Sequence, residues 1–169
     1  MMVNGIALSS LIEAVLAATI LAATPLIFAS LGEAVAETAG LLNLGIEGMM
    51  LSGAFAGFYV AYQSERAWLG VLAGTFTGVL LGTLFGWLTV TLRADQTLVG
   101  LGITIAGGGF TAFLYRDMLH GQNPSARVDP LFIRIPLLKN IPIVGEALFA
   151  QPALVFLAFA FVPITAWFL

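Results

Sequence analysis

The chain has 169 residues, of which 60% are hydrophobic and 9% charged, with a formal net charge of -3 and no cysteine. A soluble domain of this size needs far more polar surface over its core, so the composition suits a bilayer as solvent. Six Lys and Arg against nine Asp and Glu leave no basic patch for nucleic acid, and without cysteine there are no disulfides, thiolate metal sites or cysteine nucleophiles.

The N-terminal stretch MMVNGIALSSLIEAVL has no Lys or Arg, so it lacks the basic region of a cleaved signal and reads as the lead-in to a retained span. A helix needs roughly 20 mostly apolar residues to cross the hydrocarbon. Residues 10–31 satisfy this, with Glu13 near the start and Pro25 inside. Residues 34–62 are long enough but are interrupted by Gly40, Gly45, Gly48, Gly53 and Gly57. Residues 68–92 form a clear span led by Trp68, an aromatic placed where an interface anchor belongs. Residues 98–114 are shorter and contain the triplet Gly107, Gly108 and Gly109, and residues 151–169 are apolar to the last position. The expected fold is all-α, a polytopic membrane helix bundle of about five segments, the second glycine-broken or re-entrant.

Residues 116–150 are the one extended polar region, with Pro124, Pro130, Pro136 and Pro142 at an even step that forbids a continuous helix. The apolar residues between those prolines predict an extramembrane or interfacial loop within a single transmembrane domain spanning residues 1–169. Ending in apolar sequence, the chain reads as the N-terminal portion of a longer protein. Counted over five crossings, Arg66, Arg116, Arg127, Arg134 and Lys139 fall on one side and Arg93 on the other, which by charge alone puts the proline-rich loop in the cytoplasm.

Two glycine patterns carry structural information. Gly70, Gly74, Gly78, Gly82 and Gly86 recur every fourth residue, forming a slowly winding stripe where another helix backbone can approach closely. A packing face is the simpler reading, and a sliding surface the alternative. The stretch GLLNLGIEGMMLSGAFAG (residues 40–57) holds Glu47, the one ionisable residue between Glu37 and Glu65. A carboxylate at depth needs a partner, a helix terminus or a cavity. Asn43, four residues earlier, is expected to share its face, and Gly45 and Gly48 allow the helix to break and turn backbone groups toward a path. Either Glu47 caps the broken helix, or Glu47 and Asn43 line a translocation path.

No phosphate-binding G-x-x-x-x-G-K-[ST] loop exists, and the single lysine is Lys139. His120 is the single histidine, and its place in the loop reads as solvated. Arg93 and Asp95 read as a solvated turn between spans three and four. No catalytic, metal or cofactor site is expected, and the protein is not expected to be an enzyme.

The run TPLIFASLGEAVAETAGLLNLGIEGMMLSGAFAGF (residues 24–58) resembles the permease subunits of bacterial ABC importers for nucleosides and simple sugars, in the larger group of branched-chain amino-acid permeases. TLRADQTLVGLGITIAGGGFTAFLYR (residues 91–116) is similar to the next diagnostic block, and the loop and final span agree in position. The resemblance implies a passive path in the bacterial inner membrane, opened alternately to either side. It also implies a second permease subunit, a cytoplasmic ATP-binding cassette subunit and an external solute-binding protein. The family's cytoplasmic coupling segment would follow residue 169, which places the proline-rich loop outside and reverses the assignment made from charge. The competing expectations are a homo-oligomeric channel or secondary carrier joined through the glycine row, and a non-transporting membrane remnant.

Overall fold

The computed structural model describes residues 2–3, 6–119, 148 and 151–169, and these are helical almost throughout. A short antiparallel pairing of Met2–Val3 with Ile6–Ala7 precedes the first helix. Helix α1 is Leu8–Thr38, α2 is Ile46–Ser64, α3 is Ala67–Gly86, α4 is Gln96–Leu119 and α5 is Ala153–Phe168. The last turn before the α3–α4 connection, Trp87–Thr91, widens into a π-helix, with the Leu92 N–H donating to the Trp87 carbonyl at 3.1 Å. Three stretches are long and apolar enough to cross a membrane: Ser10–Thr38, Ala67–Thr91 and Gln96–Met118. The protein is a multi-pass helical membrane protein. The loop features Pro124, Pro130, Pro136, Pro142, His120, Arg127, Arg134 and Lys139 lie outside the described residues.

Several boundaries differ from the sequence reading. Helix α1 does not stop near residue 31 but runs 31 residues to Thr38, about 46 Å at 1.5 Å per residue. It ends at Gly40, whose φ of +76° is the left-handed conformation that glycine adopts without a steric penalty. There the Gly40 N–H donates to the Glu37 carbonyl at 2.9 Å and the Leu41 N–H to the Ala36 carbonyl at 3.0 Å, the paired bonds that close a helix C-terminus. The break therefore occupies residues 39–45. Gly48, Gly53 and Gly57, expected to interrupt the second span, lie inside the unbroken α2. The glycine triplet does not shorten the fourth span either, since α4 is helical through Gly107, Gly108 and Gly109 for 24 residues. Arg116, expected at the start of the polar loop, belongs to the last turn of α4. At its N-terminus Asp95 is the cap, its Oδ1 accepting from the Thr97 and Leu98 N–H groups at 2.9 and 3.0 Å. Arg93, with φ of 55°, turns the chain just before it.

The chain divides into two compact units, Met1–Val35 with Pro130–Leu169, and Ala36–Asp129. In the first, Phe28 of α1 meets Phe161 of α5 edge-on with ring centroids 6.2 Å apart, while Val155 and Ala158 of α5 are fully buried. Pro25 has no N–H to offer the α1 ladder, and beside it the buried Thr24 hydroxyl donates to the Ile20 carbonyl at 2.8 Å.

The second unit is a three-helix assembly with α2 in contact with both α3 and α4. Gly53 and Gly57 of α2 oppose Gly74 and Gly70 of α3, an antiparallel register. Gly45 opposes Gly100, and Gly48 opposes Ile103, Thr104 and Gly107, so α2 runs parallel to α4. The break, the end of α3 and the start of α4 consequently share one end of this unit.

Candidate functional site

A helix break in a membrane leaves backbone groups without their helical partners, and each one unpaired in hydrocarbon costs several kcal/mol. In the break after α1, residues of α4 answer that demand. The Leu42 N–H donates to Oε1 of Gln96, the first residue of α4, at 3.0 Å. About two turns on, the Thr104 hydroxyl of α4 donates to the Leu44 carbonyl at 2.9 Å. Between these ties Asn43 closes a local turn, its Oδ1 accepting from the Gly45 N–H at 2.9 Å while its Nδ2 approaches Sδ of Met49 at 3.6 Å. Helix α2 then begins with the Met49 N–H donating to the Gly45 carbonyl at 3.0 Å.

The glycines let this happen at close range. A Cβ on Gly45 would sit 3.0 Å from Oδ1 of Asn43 and 3.2 Å from the Gly100 carbonyl oxygen. A Cβ on Gly48 would enter the backbone of Ile103 and Thr104, with the Thr104 Cα at 2.6 Å, and one on Gly107 would lie 2.5 Å from the Gly48 carbonyl oxygen. Gly45, Gly48, Gly100, Ile103 and Gly107 are all buried in this contact. Gly45 stands opposite Gly100, four residues into α4, so the N-terminus of α2 lies about 6 Å along the axis from the start of α4.

Glu47 occupies the first turn of α2, where the unpaired N–H groups of the helix end favour an anionic side chain. Gly45 and Gly48 face α4 and Gly53 and Gly57 face α3; at about 100° per residue Glu47 falls on the remaining side, together with Leu51 and Ala54. All three are exposed, and among the described residues the Glu47 carboxylate has no hydrogen bond or ion pair. Asn43 and Glu47 are not stacked one helical turn apart as the spacing suggested. Asn43 sits in the non-helical break and its amide points into local backbone, so the i, i+4 geometry never applies to the pair.

The glycine row divides. Gly70 is packed so closely that a Cβ would be 2.6 Å from the Gly57 carbonyl oxygen and 2.7 Å from the Ala61 Cβ, and one on Gly74 would be 3.0 Å from the Gly53 carbonyl oxygen. A Cβ on Gly78, Gly82 or Gly86 would meet nothing within 4 Å. A four-residue repeat on a helix of about 3.6 residues per turn advances roughly 40° per step, so the row leaves the α2 contact after two members.

Gln96 and Thr104 were missed by sequence reasoning, along with the α2 partners Gly53 and Gly57 of the glycine row. A hydroxyl in the apolar run of α4 and an amide beside the Asp95 cap were visible, but no local spacing connects either one to residues 42–44.

Residues 15–169 match the family described as the branched-chain amino acid transport system permease component. TsgC13 of Haloferax volcanii, provisionally named a glucose ABC transporter permease protein, is 38% identical over 90% of this chain and 46% of its own length. The nucleoside ABC transporter permease protein NupC of Lactococcus lactis is 30% identical over 93% of the chain and 51% of its own. For the guanosine ABC transporter permease protein NupQ of Bacillus subtilis the figures are 29%, 94% and 52%. The chain thus spans about half the length of these curated relatives. No solved structure matches it.

Proposed function

This chain belongs to the family of branched-chain amino acid transport system permease components, and from that premise we propose that it forms part of the translocation path of an ATP-driven importer for nucleosides or related small polar solutes such as simple sugars. The match over residues 15–169 carries the reading, since it takes in the break, α2 and the whole of α4. Relatives named for guanosine, nucleoside and glucose transport support the solute class. In this reading the path is passive. ATP binding at a cassette subunit rocks the helices, a second permease subunit completes the path, and an external binding protein delivers the solute at the bacterial inner membrane. No covalent step occurs.

Within that path we assign the exposed face of α2 headed by Glu47 to the solute side, with Asn43 and Gly45 shaping the break beneath it and Gly48 seating the start of α2 against α4. The carboxylate stands free of any described partner, which suits it to accept hydrogen bonds from the hydroxyl or amino groups of a polar solute.

The test is uptake by the complete importer in proteoliposomes, using labelled guanosine and glucose. ATP-dependent accumulation that Glu47→Gln lowers about tenfold at unchanged permease abundance, equivalent to roughly 1.4 kcal/mol, supports the assignment. Accumulation without ATP would instead identify a channel or carrier. Wild-type uptake by the Gln variant would remove Glu47 from the path.

A further inference from the structure

Gln96 and Thr104 are the two side chains of α4 that reach the backbone of the break, from 54 and 60 residues away in sequence. They take one donor, the Leu42 N–H, and one acceptor, the Leu44 carbonyl. Both groups lie in the stretch that belongs to neither helix, so neither has a partner in a regular ladder. Beside the ties, the buried pair Gly45 and Gly100 and the buried trio Gly48, Ile103 and Gly107 bring the backbones into direct contact. On the α4 side the break is therefore held at two polar points and along one continuous glycine seam.

We propose that Gln96 and Thr104 are positioning residues for the transport step: by binding Leu42 N–H and Leu44 C=O they make residues 42–48 and the first three turns of α4 one moving body, which sets the position of Glu47. The inference rests on the permease reading for its consequence and on the geometry alone for the attachment. It separates two kinds of motion. Rocking of α4 carries the start of α2 with it, whereas the α2–α3 contact, which among the described residues has no hydrogen bond across it, is free to shear along its glycines. A solute-facing carboxylate on a loose, self-solvating loop would have no such linkage to the helices that ATP binding drives.

The experiment compares Gln96→Leu and Thr104→Val, which remove the ties at similar volume, with Gln96→Glu and Thr104→Ser, which keep an acceptor at 96 and a hydroxyl at 104. All are made in the full permease, assembled with its partner subunits in membranes. Two readouts are taken, amide hydrogen exchange over residues 41–46 and ATP-driven uptake of guanosine and glucose. The expected result is exchange at Leu42 accelerated about tenfold or more in the Leu and Val variants. Their maximal uptake rate should fall several-fold at unchanged KM and complex abundance, with both properties restored in the Glu and Ser variants. Unchanged exchange in Gln96→Leu and Thr104→Val overturns the attachment. Accelerated exchange with wild-type uptake overturns the positioning role. Absence of ATP-driven uptake in the unmodified complex refutes the permease reading, and exchange alone then decides whether the tie exists. Should Thr104→Val fail to accumulate, the Gln96 pair decides on the same criteria.

Discussion

Helix α2 meets its two neighbours through glycine on both sides, yet the two contacts are built differently. Against α3, Gly53 and Gly57 face Gly74 and Gly70, and among the described residues no hydrogen bond joins the helices. Against α4, Gly45 and Gly48 face Gly100 and Gly107, and the seam ends in side-chain hydrogen bonds to Leu42 and Leu44. The difference follows the state of the backbone. Where both helices satisfy their own peptide groups, close van der Waals approach is sufficient in lipid, which offers no hydrophobic drive toward association. Where the chain is unwound, the neighbour must also supply a donor and an acceptor.

Substitutions at three glycines sharpen this contrast, and each can be followed by the unfolding midpoint in detergent titration. Gly48→Ala has the largest expected effect. Its methyl would overlap the backbone of Ile103 and Thr104, which cannot yield as a flexible side chain does, and separating the helices there also pulls Thr104 from Leu44. A loss of about 3 kcal/mol or more is expected, at the upper end of overpacking effects. A near-neutral result would mean that α2 and α4 are not in backbone contact.

Gly70→Ala comes next. The new methyl would press on the Gly57 carbonyl oxygen and the Ala61 Cβ, and relief requires α2 and α3 to part slightly. Because no polar tie is broken, the expected loss is smaller, about 1–2 kcal/mol. A cost equal to that of Gly48→Ala would erase the distinction between the two contacts.

Gly82→Ala has the smallest effect and the opposite sign. Nothing lies within 4 Å of the added methyl, so replacing a helical glycine should be neutral or stabilising by up to about 1 kcal/mol. Marked destabilisation in the assembled complex, with none in the isolated chain, would reveal a helix seated on the outer part of the row.

Much of the bundle is legible in residue order. Apolar length locates α1, α3 and α4 because each must span the hydrocarbon by itself, and the cluster of glycines around residue 45 marks the break. The extension of α1 to Thr38 was not legible. It depends on Gly40 taking a left-handed conformation while Gly32, equally a glycine, stays helical, and composition does not distinguish them. The expected Asn43–Glu47 face failed for a related reason, since a helical spacing rule was applied across a point where the helix had not yet begun.

By itself the sequence determined the solvent, the helical class and the family, because these follow from bulk apolarity, span length and contiguous motifs. It also determined the period of the glycine row. Only the tertiary structure decided that two members of that row touch α2 and three do not, that Gln96 and Thr104 close the break, and that Glu47 is left facing outward. The physical reason is range: periodicity acts over a few residues along one helix, whereas a partner for an open peptide group is chosen by which distant backbone comes within about 3 Å of it.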